Sequence, residues 1–250
     1  IYFARTIEVL KREGRNPMAT MEIFPSGEGI LCGMNEAKVL LSDVLPESRE
    51  VWTLEEGDPF KGKEVILRIT APYQSYGLYE TAICGILAHC SGWATAAREC
   101  VDAAGGIPIT SFGARHVHPQ VSGVMDYSAM VGGCAGCSSS EGARLAGISP
   151  TGTMPHALIL IMGDTATATL AFDKHMPPDV PRISLVDTFK DEVEESIIVA
   201  KALEGRLRGV RLDTPSERGR VTPHLIKEVR VALDMAGFKD VNIVVSGGID

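Results

Sequence analysis

Two short polar clusters hold side chains whose types and spacing suit chemistry. The first is Ser111-Phe112-Gly113-Ala114-Arg115-His116-Val117-His118-Pro119. Arg115 suits a planar carboxylate or a phosphate, which a guanidinium grips through two parallel N–H···O bonds. His116 and His118 are two apart, so in an extended segment they point to opposite sides and do not pair on one metal. The second cluster, Gly152-Thr153-Met154-Pro155-His156, reads as a turn entering a helix at Ala157. A histidine beside a turn threonine at a helix start can bind phosphate, or accept a phosphoryl group as a nucleophile. The blander readings are a structural histidine in the first cluster and a capping turn in the second.

Three more positions close hydrophobic runs. Residues 182–187 end on Asp187, residues 210–213 on Asp213, and residues 241–246 lead into Ser246-Gly247-Gly248. Two carboxylates at one edge suit ribose hydroxyls or Mg²⁺, which is hard-oxygen chemistry. Ser-Gly-Gly lets the backbone approach a phosphate and present N–H groups to it. An isolated Asp after a strand caps the next helix, and an isolated Gly-Gly is a tight turn; three such ends in succession point to a site. Cys134-Ala-Gly-Cys137 has no second pair and sits among small residues, so it reads as buried thiols rather than zinc or a redox centre.

The elements that must position these groups follow from periodicity. Residues 191–203 have helical spacing at Val193, Ile197, Ala200 and Leu203. A second helix has Thr222 as N-cap, Pro223 at the first helical position, an apolar stripe through Leu225, Val229, Ala232 or Leu233, and Ala236, and Gly237 as its stop. Strand, helix, strand, helix, strand at this spacing predicts parallel β/α units, whose ligands bind at the carboxyl ends of the strands. Residues 105–109 are the candidate first barrel strand. The region to about Arg98 lacks this alternation: helices are expected at 1–10 and 35–45, and a strand at 65–69. A helix is expected at 76–90, with Gly92 as its C-terminal cap. That last helix is apolar almost all round, which implies burial or subunit contact. The expected fold class is therefore α/β: an N-terminal α+β domain over 1–98, then a β/α barrel over 99–250. The barrel is cut short at its C-terminal end, since the chain opens inside a helix without methionine and closes directly after a strand.

Composition narrows the function class. The 250 residues carry a formal net charge of −8, with 45% hydrophobic and 22% charged residues, as expected of a globular chain. The acidic balance argues against a nucleic-acid partner, which needs a basic stripe. No apolar run reaches the length of a membrane span and no secretory signal is visible. The six scattered cysteines read as reduced thiols. A cytoplasmic enzyme is expected.

Read in order, Tyr2-Phe-Ala-Arg5-Thr6, Tyr79-Glu80-Thr81-Ala82, Ser111 to Pro119, Gly152 to Ala157, Val210-Arg-Leu-Asp213-Thr-Pro-Ser216 and Val245-Ser-Gly-Gly248 form a familiar series. Over essentially its whole length the chain resembles nicotinate phosphoribosyltransferases of the compact archaeal type, within the group that includes the quinolinate and nicotinamide enzymes. The resemblance implies an N-terminal α/β domain, an incomplete barrel of roughly seven strands, and subunits paired head to tail as a homodimer or higher homo-oligomer. It implies attack of a pyridine nitrogen on C1 of phosphoribosyl pyrophosphate, with Mg²⁺ neutralising the departing pyrophosphate. Carried over by residue, Arg115 meets the nicotinate carboxylate or lies beside it, and Tyr2 stacks on the pyridine ring from across the dimer. His156 stands where ATP-coupled relatives carry a phosphorylated histidine. Asp213 binds ribose hydroxyls, with Arg211 and Asp187 near the phosphoribosyl group. Ser246, Gly247 and Gly248 begin the 5′-phosphate site, and His118 and Thr153 lie in the surrounding shell. No dedicated protein metal site is implied, and any zinc-binding C-terminal extension lies outside the chain. Quinolinate enzymes have an arginine beside the glutamate of the Glu-x-Thr-Ala-like helix; its absence at Tyr79-Glu80-Thr81-Ala82 favours a monocarboxylate. Rival readings are an FMN-dependent barrel oxidoreductase and a non-catalytic nucleotide-binding paralogue.

Overall fold

The computed structural model describes residues 1–247, and the chain divides into two compact units, Ile1–Thr151 and Gly152–Asp250. Gly248 of the Ser-Gly-Gly turn lies outside the described residues.

The first unit opens with helix α1 (Tyr2–Arg12) and strands β1 (Met18–Ile23) and β2 (Gly29–Ile30). Helix α2 (Met34–Val44) and strands β3 (Glu50–Thr53), β4 (Pro59–Phe60) and β5 (Leu67–Pro72) follow. Strand β5 lies between β1 and β3, antiparallel to both. It alternates as a half-buried strand must, with Leu67, Ile69 and Ala71 inward. The short α3 (Tyr73–Tyr76) leads to the long helix α4 (Glu80–Ala103). Met34, Ala37 and Leu41 of α2 and Ile83 and Leu87 of α4 join the β5 residues in one core. Strand β6 (Thr110–Ser111), a 3₁₀ turn (Gly113–His116), helix α5 (Pro119–Val131), strand β7 (Gly136–Cys137) and helix α6 (Ser140–Ala146) complete the unit, with β6 and β7 parallel.

Three expectations shift here. Helix α4 does not stop at Gly92 but runs on to Ala103, through the position expected to divide the domains. Gly92 has open space on its side-chain face, so nothing forces the chain to turn there. The roughly 1 kcal/mol that a mid-helix glycine costs is outweighed by packing on the opposite face, where Cys90, Ser91 and Ala94 are buried. The candidate strand at 105–109 is displaced to Thr110–Ser111. The histidine pair is not extended: His116 ends the 3₁₀ turn, and His118 is the N-cap of α5, its Nδ1 accepting from the Gln120 N–H at 3.2 Å.

The second unit has helices α7 (His156–Met162) and α8 (Thr165–His175), then strand β8 (Ile183–Leu185), helix α9 (Glu192–Leu203) and strand β9 (Gly209–Leu212). Helix α10 (Pro223–Met235) and strand β10 (Asn242–Val245) follow. The strands form a parallel sheet in the order β10-β9-β8. Val199, Leu203, Val229 and Leu233 of the helices pack on Val210 and Leu212. The caps are those the spacing predicts: the Thr222 hydroxyl accepts from Leu225 N–H ahead of Pro223, and Asp191 caps α9. Among the described residues no helix is long and apolar enough to cross a membrane.

Candidate active site at the strand ends

Parallel pairing in register brings the carboxyl ends of β8, β9 and β10 to one edge, where Asp187, Asp213 and Ser246 follow. The Asp187 side chain has no exposed surface and both of its oxygens are engaged. Oδ1 lies 2.9 Å from His156 Nε2, and Oδ2 accepts the Asp213 backbone N–H at 2.7 Å. A carboxylate accepts only, so the first contact places a proton on Nε2 and turns Nδ1 away from Asp187. His156 is 40% exposed at the side chain, open to a reactant.

Asp213 takes the Ser246 hydroxyl on Oδ1 at 3.0 Å. Among the described residues its Oδ2 makes no hydrogen bond, and it lies 3.9 Å from both His156 Nδ1 and Arg211 Nη1, close enough for attraction only. Arg211 is held loosely for so buried a guanidinium: Nη2 reaches the Met154 carbonyl at 3.3 Å, and Nε has no partner among the described residues. Such a group is poised for an anion. Gly247 adopts φ +84°, and a Cβ there would stand 2.6 Å from Asp213 Oδ1, so glycine is required both by backbone and by space. Arg218, in the 3₁₀ turn Ser216–Arg218, donates from Nη1 to the Asp187 carbonyl at 2.8 Å and holds the chain that carries that acid.

Of the residues singled out from sequence, His156, Asp187, Asp213, Arg211 and Ser246 therefore meet, with Gly247 against Asp213. Thr153 is half-buried in the turn before His156. Tyr2, Arg115 and His118 belong to the first unit, where Tyr2 is 65% exposed and Arg115 and His118 also face outward. In the first unit Arg98 also has a buried Nε with no partner among the described residues, and its guanidinium lies against Gly133. A lone arginine among the alanines of α4 is its signal in the sequence.

No three His, Cys, Asp or Glu side chains among the described residues converge as a metal site. Both Asp187 oxygens are engaged, whereas Asp213 Oδ2 takes no hydrogen bond among the described residues, which suits a Mg²⁺ held mainly by substrate phosphates with one carboxylate. Cys134 and Cys137 are buried and unpaired. Burial, with Cys100, Asp126 and Cys137 nearby, pushes the Cys134 thiol up to about 11, so it stays protonated and is a poor metal ligand.

Comparison with known proteins identifies the family. The family models described as "Quinolinate phosphoribosyl transferase, N-terminal domain" and "C-terminal domain" match residues 1–91 and 93–250. Nicotinate phosphoribosyltransferase pncB2 of Mycobacterium tuberculosis is 31% identical over 204 residues, 80% of this chain and 43% of that protein. The nicotinate phosphoribosyltransferase of Bacillus subtilis is 28% identical over 202 residues, 80% of this chain and 40% of that protein. The crystal structure of nicotinate-nucleotide pyrophosphorylase from Pyrococcus furiosus superposes with a TM-score of 0.93 at 40% identity, over 100% of this chain and 65% of that one. Human nicotinic acid phosphoribosyltransferase shares the fold, with a TM-score of 0.79 at 19% identity, over 100% of this chain and 68% of that one. The chain thus spans under half the length of these curated relatives. With a mixed α/β fold, and matches to both domains from one end to the other, the chain belongs to the quinolinate phosphoribosyl transferase family, within the nicotinate and quinolinate phosphoribosyltransferase group.

Proposed function

We propose that the protein is a nicotinate phosphoribosyltransferase of NAD synthesis, joining nicotinate to phosphoribosyl pyrophosphate and releasing pyrophosphate. The observation that carries this reading is the strand-end cluster: two acids, a histidine and an underused arginine beside a Ser-Gly turn. The pyridine nitrogen attacks C1 as the C1–O bond to pyrophosphate breaks, through a transition state resembling an oxocarbenium ion. Positioning and charge outweigh proton transfer in such a step. Asp213 holds ribose hydroxyls, Arg211 takes a phosphate oxygen, and Ser246, Gly247 and Gly248 begin the 5′-phosphate cradle. Arg115 grips the nicotinate carboxylate, Tyr2 stacks on the ring from across a homodimer, and His118 and Thr153 support this shell. Asp213 would also hold a Mg²⁺ carried by the substrate, and such an ion would supply positive charge to the departing pyrophosphate.

His156 supports coupling to ATP: its side chain is 40% exposed, and Asp187 orients its ring as a triad acid orients an imidazole. It would take the terminal phosphoryl of ATP, releasing ADP, and water would later free phosphate. An incomplete barrel of roughly seven strands belongs to the same reading, supported by the parallel pairing of β6 with β7 and of β8 to β10. So does a cytoplasmic setting, which suits six unpaired cysteines. Quinolinate is the second reading, favoured by the family models' description; the lack of an arginine at Tyr79-Glu80-Thr81-Ala82 favours nicotinate.

The test supplies full-length protein with Mg²⁺ and phosphoribosyl pyrophosphate. Pyrophosphate release is followed with nicotinate, nicotinamide or quinolinate, each with and without ATP. Release with nicotinate alone is expected, accelerated by ATP. Release with quinolinate alone would move the assignment to the second reading, and binding without turnover would mark a non-catalytic paralogue.

A further inference from the structure

The first turn of α9 contains two glutamates that a solvated helix end does not need. Glu194, in the same turn, lies at the surface and pairs with Lys190. Glu192 and Glu195 are instead buried, at 6% and 2% exposure, and carboxylates are almost never so buried without dedicated partners. Three residues apart, they share a helix face.

Their partners lie in the loops that leave the two strand-end acids. Glu195 Oε1 accepts from the Thr165 hydroxyl at 2.8 Å and from the backbone N–H groups of Phe189 and Lys190 at 3.0 and 3.1 Å. Its Oε2 accepts the Thr188 N–H at 3.4 Å. Residues 188–190 follow directly on Asp187. Glu192 Oε1 accepts from the buried Thr214 hydroxyl at 2.7 Å, and Thr214 follows directly on Asp213. Behind Glu195 the network continues inward: Thr169 Oγ1 donates to the Thr165 carbonyl and bonds Ser184 Oγ, within β8 itself, both at 2.7 Å.

We propose that Glu195 and Glu192 are positioning residues, Glu195 fixing the loop that holds Asp187 against His156 and Glu192 fixing the loop that carries Asp213. The inference rests on the transferase reading for what the site does, but the geometry it claims is measurable without substrate.

The experiment uses four variants of the full-length protein, Glu195→Gln, Thr165→Val, Glu192→Leu and Glu192→Gln, each checked for folding by circular dichroism. Histidine-labelled protein reports the ring ¹⁵N pattern of His156 without ligand, and steady-state kinetics report kcat and KM separately. In Glu195→Gln the amide oxygen can keep the donors of Oε1, but its NH₂ then faces the Thr188 N–H next to Asp187, and His156 is expected to lose the signature of an Nε2–H bonded to Asp187. Its kcat should fall about ten- to a hundred-fold, with a smaller change in KM, as displaced reacting groups require. Thr165→Val, which removes one donor, should show the same change in weaker form. Glu192→Leu should lose about ten-fold in kcat, and Glu192→Gln should recover most of that, because its carbonyl still accepts from Thr214. Folded variants with wild-type His156 signals and wild-type kcat would overturn the proposal. A wild-type protein inactive with every pyridine acid would instead sink the transferase reading, while the ¹⁵N signals would still decide the positioning.

Discussion

Burying a carboxylate is costly unless donors meet it, and at Asp187 the donors come from two places distant in sequence, an imidazole and a backbone amide. Asp187→Asn keeps the volume but turns an N–H₂ toward one of those donors. It should cost about 1–3 kcal/mol in urea unfolding and depress pyrophosphate release as His156 loses its orientation. Asp213→Ala should act differently. Its side chain is 25% exposed and, among the described residues, makes one hydrogen bond, to Ser246. Stability should therefore change by no more than about 1 kcal/mol. Turnover should fall about a hundred-fold or more, and near-normal kcat would show the site assignment to be wrong. The identities of His156, Asp187 and Asp213 were legible because each ends a strand or opens a helix. The bond between His156 and Asp187 was not, because 31 positions separate them and only the folded sheet edge brings them together. The buried glutamates of α9 were hidden for another reason: in sequence they look like the acids that any helix start favours.

Among the elements, α10 was the most legible, since Thr222, Pro223 and Gly237 are local signals that no tertiary contact opposes. Helix α4 was the least, because a glycine that looks like a stop sits on an open face while the other face is locked into its neighbours. Its crossing with the end of α5 is close: a Cβ on Gly132 would meet the Ala94 carbonyl oxygen at 2.4 Å and the Ala97 methyl at 2.7 Å. Gly132→Ala must therefore push the two helices apart, at about 1–3 kcal/mol. A chemical-denaturation midpoint equal to wild type would show that the crossing is softer than its geometry implies.

At the scale of the whole molecule, the parallel β/α character of residues 182–246 was readable from the sequence. The two-unit division after Thr151 was not, because it depends on which segments touch rather than on composition. Along α4, Thr81, Cys84, Gly85, Ala88, Gly92 and Trp93 face outward, which fits the homodimer proposed above. Ala88→Glu should convert a dimer to a monomer in light scattering, with circular dichroism unchanged; a wild-type monomer would remove this role from the helix. The hydrogen bond from the Asp213 amide to the Asp187 side chain has a consequence for how the molecule is made. It extends the β8–β9 ladder beyond its last backbone bond, from Val186 N–H to the Arg211 carbonyl. The carboxylate that orients His156 and the structural rung are thus one group. A chain that pairs these strands one residue out of step loses its chemistry and its closing bond together, so misassembled molecules are inert rather than errant.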